Sequence, residues 1–207
     1  QRVVIVMLEN TMRSTALAND YLNGLRKKGV FLSNAQGVTH PSQPNYIAMV
    51  AGDTMQITDD DEHYMDWYWV PPVKDKNGKT TKKGYYNYTK EGYSLPSIVD
   101  LLEAQNLSWK CYAESLPEGY KEGLKYNWKT SPQSNLRRVP DDSKQFPFAR
   151  KHVPFLSFPS VVGNPERLAK IVHADGFEED LESDSLPHFC YYVPNLLNDV
   201  HNVTKEI

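Results

Sequence analysis

Six apolar residues in a row, Val3-Val4-Ile5-Val6-Met7-Leu8, are followed at once by a carboxylate and an amide, Glu9 and Asn10. The first four are β-branched and the run carries no polar alternation. Such a segment fits a strand covered on both faces, the central strand of a parallel sheet. Parallel strands need long crossovers, so the rest of the chain should alternate helix with strand. The run is also far short of the roughly 20 residues that a membrane helix requires. A net charge of -3 supplies no basic field for nucleic acid or anionic lipid. Two cysteines can build neither a disulfide scaffold nor a four-cysteine zinc site. No methionine starts the chain, and only two residues precede the run, so a piece of a longer protein is expected.

Residues 15–28 place Leu17, Tyr21, Leu22 and Leu25 at helical spacing, with Lys27 and Lys28 in the last turn and Gly29 just beyond. Val30 to Ala35 reads as a short strand. Ser42 can cap a helix carrying Tyr46, Ile47, Met49 and Val50, closed by Gly52. Ser94 can cap another, with Leu95 to Leu102 on its apolar face, Pro96 in its first turn and Asn106 at its end. Leu107 to Ala113 then forms a strand, Asn164-Pro165 opens a helix through Val172, and His188 to Val193 is a further buried strand. The expected class is α/β, with a mostly parallel sheet in a single domain over 1–207. Two stretches, about 53–93 and 115–163, lack periodicity and read as irregular insertions; loops of that length are usually functional. The acidic clusters Asp59 to Glu62 and Glu178 to Asp180 read as solvated loops.

In open α/β sheets the chemistry collects at the carboxyl ends of the strands, and three segments fall there. Glu9-Asn10 is either a polar turn with a helix cap or a pair of oxygen ligands for a hard or borderline cation. Ser42 is either an N-cap or a nucleophile at the positive end of a helix, where free backbone N–H groups would hold a phosphate. A metal at Glu9-Asn10 would lower the serine pKa, and Asn45 could donate its amide to a phosphoryl oxygen. After the last strand, Asn195 and Asp199 stand four apart, and His201 could bind metal or move a proton. That segment reads equally as a cap with surface polar residues.

Together VIVMLEN (Val4 to Asn10), GVTHPSQPNYIAMVAGDT (Gly37 to Thr54), RKHVPF (Arg150 to Phe155) and YYVPNLLNDVHN (Tyr191 to Asn202) resemble the acid phosphatase and phosphatidylcholine-type phospholipase C phosphoesterases. That group lies within the alkaline phosphatase superfamily, and the resemblance is greatest to secreted fungal-type acid phosphatases. It implies a three-layer sandwich, alkaline-phosphatase-like and incomplete at the C-terminus. It also implies a phosphoserine mechanism in which Ser42 is the nucleophile, Glu9 and Asn10 bind metal, and Asn45 lies beside the transferred phosphoryl group. By the same resemblance Asn195 and Asp199 match a polar pair after a later strand, with Asp199 among the metal ligands. Lys151 and His152 match a basic pair facing the substrate. The family's closing carboxylate pair has no counterpart after Asn202, which puts the metal set in doubt and leads us to expect chain beyond Ile207.

The activity so implied is that of a metal-dependent phosphomonoesterase acting on a small phosphate ester. The alternatives are a phospholipase C-like phosphodiesterase and a non-catalytic secreted glycoprotein. The oxygen-rich donor set suits calcium, magnesium or manganese, with zinc or iron also open. Three acceptor sequons, at Asn87, Asn106 and Asn202, favour a secreted, cell-wall or extracellular setting, as does the resemblance. Cys111 and Cys190 fall in strands, as two buried free thiols or, if those strands are neighbours, as a disulfide.

Overall fold

The computed structural model describes residues 1–60, 67–87, 96–116, 147–162 and 164–201. Along the chain run β1 (Val3–Val6), α1 (Arg13–Ala18), α2 (Asp20–Lys28), α3 (Ser42–Ala51), β2 (Trp67–Lys74), β3 (Thr80–Asn87), α4 (Ile98–Ala104) and β4 (Trp109–Ala113). They are followed by α5 (Pro159–Val162), α6 (Pro165–Leu168), β5 (Ile171–His173), α7 (Asp175–Glu182) and β6 (Phe189–Val193). The main sheet is all parallel, in the order β1-β6-β4-β5, while β2 and β3 form a separate antiparallel hairpin.

Strand alternation divides the sheet's two faces. Trp109, Cys111 and Ala113 lie opposite Phe189, Tyr191 and Val193. All six belong to one core cluster with Tyr46, Ile47 and Val50 of α3, Val99 of α4 and the segment from Phe148 to Val162. Phe155 sits at its centre, 5.5 Å from the Trp109 ring and edge-on to Tyr191 at 5.4 Å. Truncating a fully buried phenylalanine such as this costs about 3–5 kcal/mol. The intervening residues Tyr112 and Tyr192 turn to the other face, where Phe177 of α7 meets both rings edge-on. Helices therefore flank the parallel sheet on both faces, as the α/β sandwich requires.

This alternation overturns the disulfide alternative. Cys111 pairs in register with Tyr191 and Cys190 with Lys110, so the thiols point to opposite faces although their strands are neighbours. Both are buried and free. Burial pushes both thiols up.

Several local expectations are also corrected. β1 is an edge strand rather than a central one: among the described residues it pairs with β6 alone, and Val3, Val4 and Val6 are exposed. Only Ile5 and Met7 of that run pack on the core. The helix read over 15–28 is two, because the Asn19 side chain accepts from the Leu22 N–H at 3.1 Å and starts α2 afresh. Val30 to Ala35 is a turn-containing connection and not a strand. Ser42 is the first residue of α3 rather than its cap. The helix before β4 starts at Ile98, where Asp100 reaches back to the Ser97 N–H at 2.8 Å; Ser94 lies outside the described residues. Asn164 does cap α6, but that helix ends at Leu168 and Val172 belongs to β5.

The stretch about 53–93 contains the β2–β3 hairpin, whose register shifts between Val70 and Val73, around Pro71-Pro72. Prolines lack the N–H that a ladder needs, which is why the segment shows no strand pattern. Of the stretch 115–163, residues 117–146 are outside the description. Its last part is no insertion over the sheet: the 3-10 turns Arg150–His152 and Pro154–Ser157 are core. Glu178 to Asp180 lie in α7, where Asp180 accepts from Lys110 Nζ at 2.5 Å and Tyr112 at 2.6 Å.

Candidate active site at the sheet's carboxyl end

Beyond β1 the chain is tied to the segment after β6. Met7 N–H donates to the Tyr192 carbonyl at 2.9 Å and Glu9 N–H to the Asp199 carbonyl at 2.7 Å. Glu9 is thereby set against the first turn of α3. Ser42 and Tyr46 stand four apart on that helix and so share a face. The Ser42 hydroxyl donates to Glu9 Oε1, and the Tyr46 hydroxyl donates to Glu9 Oε2 at 2.7 Å. Burial alone would raise the Glu9 carboxyl, but the bonds donated by Ser42 and Tyr46 outweigh it and bring it below its ordinary value. Tyr46 is itself raised, by burial first and then by the Glu9 charge.

His152 is 2% exposed and stacks on Tyr46, with centroids 4.7 Å apart and planes 11° apart. Its Nε2 is 3.7 Å from Glu9 Oε2. Burial pushes this imidazole down to about 4 against the pull of Glu9, so it is neutral at ordinary pH. Asp199 is also buried and, through desolvation first, has a raised carboxyl pKa. His201 Nδ1 donates to the Asn10 carbonyl at 2.6 Å.

Asn45 performs a local task. Its Oδ1 accepts from the Val38 and Thr39 N–H groups at 2.7 and 3.1 Å, and its Nδ2 donates to the Thr39 and Pro41 carbonyls, both at 2.8 Å. The amide thus holds the loop that delivers Ser42. Gly37 favours the same closeness, since a Cβ there would crowd Asn45 Oδ1 at 3.1 Å.

A cleft of about 1030 Å³ opens beside these groups, lined by residues 7–11, 36–42, 45, 46, 48, 49 and 52. Glu9, Asn10, Ser42 and Asn45 line it together. Lys151, His152, Asp199 and His201 do not line it; His152, Asp199 and His201 gather behind Glu9 and Asn10. Asn195 stands apart, accepting from the Leu197 and Asn198 N–H groups at 2.9 and 3.1 Å and donating to Ser115 at 3.0 Å. Of the sequons, Asn106 is exposed at the end of α4, Asn87 closes β3 and Asn202 lies outside the described residues.

Two acids escaped the sequence reading. Asp60 accepts from the Gln43 N–H at 2.9 Å with one oxygen and pairs with Lys151 through the other, so it is not a solvated loop residue. Glu114 accepts from Tyr192, from the Asn195 N–H at 3.0 Å and from Asn198 Nδ2 at 2.9 Å, which shapes the turn leading to Asp199. Neither has a local sequence signal, because each joins elements distant in the chain.

The lining carries the Glu9 carboxylate but no Lys or Arg among its residues. The Gln43 N–H is taken by Asp60, and Pro44 has none, so the helix terminus offers few free donors to an anion. No group of three or more His, Cys, Asp or Glu side chains is placed to hold a metal among the described residues. The oxygen atoms of Glu9, Asn10 and Ser42 remain a hard-cation donor set facing one cleft.

A probable acid phosphatase of Kluyveromyces lactis is 30% identical over 206 residues, covering 100% of this chain and 40% of that protein. An acid phosphatase of Aspergillus fumigatus is 30% identical over 197 residues, covering 95% of this chain and 36% of that protein. A phosphatidylinositol-3-phosphatase of Mycobacterium tuberculosis is 27% identical over 203 residues, covering 97% of this chain and 51% of that protein. The chain thus spans 40% or less of the two fungal relatives' own length. The model of the phosphoesterase family matches residues 15–207, and the chain belongs to that family.

Proposed function

We propose that this chain carries the nucleophile of a phosphomonoester hydrolase, with Ser42 attacking phosphorus. The observation that carries the reading is the Ser42 hydroxyl donating to Glu9 Oε1 at the first position of α3, inside the cleft. In the first step the Ser42 Oγ–P bond forms with loss of the hydroxyl proton, the ester P–O bond breaks and the leaving alcohol takes up a proton in exchange from solvent. Water then cleaves the phosphoserine and returns the hydroxyl. Glu9 Oε1 aims Oγ, and its lowered pKa keeps it an ionised acceptor in mildly acidic solution. Asn45 fixes the loop carrying Ser42. Exchange of its amide onto a phosphoryl oxygen would place it beside the transferred group.

A phosphate dianion facing Glu9 has no lysine or arginine in the cleft lining to offset its charge. A divalent cation fits that deficit, held by the Glu9 carboxylate, the Asn10 amide oxygen and Ser42 Oγ; the oxygen donors suit magnesium, calcium or manganese. When bound it would acidify the serine and neutralise charge on the phosphoryl oxygens. Asp199, whose carbonyl accepts from the Glu9 N–H, would offer a further carboxylate to that cation; His152 and His201 stand against Glu9 and Asn10, and Lys151 pairs with Asp60.

The acid phosphatase names of the fungal relatives support a monoester substrate. Secretion and glycosylation accord with the exposed sequon at Asn106. In the full-length protein, Ser42→Ala should lower turnover of an aryl phosphate by at least about 10³-fold. Mass spectrometry of acid-quenched wild type should find phosphate on Ser42. Unchanged turnover in S42A would overturn the assignment, and faster turnover of diesters than of monoesters would move the activity to the phospholipase C type.

A further inference from the structure

We infer that Tyr46 is a positioning residue for this reaction: its hydroxyl holds one oxygen of Glu9 so that the other faces Ser42. The inference rests on the reading of Ser42 as the nucleophile. A glutamate's terminal torsion is broad, so one hydrogen bond leaves the carboxylate free to turn about its last bond. Here one helical turn supplies two donors, Ser42 to Oε1 and Tyr46 to Oε2, and both oxygens are fixed by a single rigid element.

Tyr46 is itself held. It is 4% exposed, and its ring lies flat on the imidazole of His152 at 4.7 Å. His152 comes from the Arg150–His152 turn, whose flanking residues Ala149 and Val153 are buried. The phenol therefore cannot swing away without unstacking the histidine. At 3.7 Å the His152 Nε2 is too far from Glu9 Oε2 for a direct hydrogen bond, and neither His152 nitrogen has a partner among the described residues. His152 thus serves as a platform for the ring while the tyrosine hydroxyl makes the bond. A phenylalanine would pack against His152 equally well, so the hydroxyl has its use at Glu9.

The test is Tyr46→Phe in the full-length protein beside Ser42→Ala. Steady-state turnover of an aryl phosphate, the pre-steady-state burst of phenol and thermal melting are measured for each. Y46F is expected to lower kcat and the burst rate about 10- to 100-fold, as a misaimed group does, with KM changed less than about twofold. Its melting midpoint should stay near wild type, and its crystal structure should show the Glu9 carboxylate rotated off Ser42. Tyr46→Leu should add a loss of melting temperature through the lost stack, with a kcat no lower than that of Y46F per folded molecule. Wild-type kcat in Y46F with S42A inactive overturns the Tyr46 inference alone. Wild-type kcat in S42A overturns the nucleophile reading and this inference with it.

Discussion

Two carboxylates at opposite ends of the same sheet are each gripped by several donors, and they differ in how their charge is met. At the strands' amino ends, Glu103 accepts from Trp109 Nε1 at 2.9 Å, Lys170 Nζ at 2.7 Å and Arg167 Nε at 2.8 Å. Arg167 also reaches Asp100 at 2.8 Å, and Lys170 lies over the Trp109 ring. Negative charge there is met by cations, and the cluster ties α4 to α6 and β4. At the carboxyl ends, Glu9 is held by two neutral hydroxyls, beside a histidine that burial keeps neutral. Five buried polar side-chain atoms have no partner among the described residues. Four of them belong to His152, Tyr191 and Asp199, which are electrostatically coupled to Glu9 or to Tyr46; the fifth is the Ser160 hydroxyl. Buried polar groups are ordinarily satisfied. Under the proposed function, the unmatched charge and unused hydrogen-bonding capacity of this cluster are what a cation and a phosphate ester would take up.

The contrast is broken most directly by opposite outcomes of two substitutions. Glu9→Gln keeps the volume and removes the charge. It should lower kcat about 10³-fold by removing the charge and one of the two acceptor oxygens that Ser42 and Tyr46 use, while the melting temperature falls only slightly because the amide oxygen still accepts one of those bonds. Turnover together with melting curves checks both halves. Arg167→Ala should do the reverse. Leaving Asp100 and Glu103 without their arginine should cost about 2 kcal/mol in urea unfolding, the pair being partly solvent-screened, with kcat per folded molecule unchanged. A fall in kcat per folded molecule in R167A would show that the two clusters are not separate in role.

How much of this was legible follows the range of the interactions. β4 and β6 are buried apolar runs and declare themselves locally. The Val3–Leu8 run also declares a strand, but whether a strand is central or at an edge depends on partners far along the chain, and among the described residues β1 has one. β5 is three residues long and its apolar pair Ile171-Val172 continues the helical spacing of α6, an ambiguity that short segments cannot resolve. α7 reads as an acidic loop because, of its apolar residues, Phe177 meets the sheet while Leu181 is exposed. In the site, Glu9, Asn10 and Ser42 were readable because they fall where strand and helix ends put polar groups. Tyr46 was readable only as core: helical spacing gives its ring a buried face but does not say that its hydroxyl meets Glu9. Asp60 and Glu114 needed the tertiary structure outright.

The smallest expected effect sharpens the comparison from the amino-end cluster, through its acid limb. Burial would raise Glu103, but the bonds from Lys170, Trp109 and Arg167 outweigh it and lower the carboxyl from 4.5 to about 2. The unfolded chain therefore binds this proton more readily than the folded one. The stabilisation is fully present above about 4.5 and is lost as pH falls toward 2. Because Glu103 is 27% exposed, solvent screening reduces its size to about 1–2 kcal/mol. Urea unfolding of wild type and Glu103→Gln at a series of pH values reads this out. The difference in stability between the two should be constant above pH ~5 and shrink by about 1–2 kcal/mol as pH approaches 2. A difference that did not vary with pH would mean that Glu103 contributes by packing and neutral hydrogen bonding. The amino-end cluster would then not be the charge-matched counterpart of the Glu9 site.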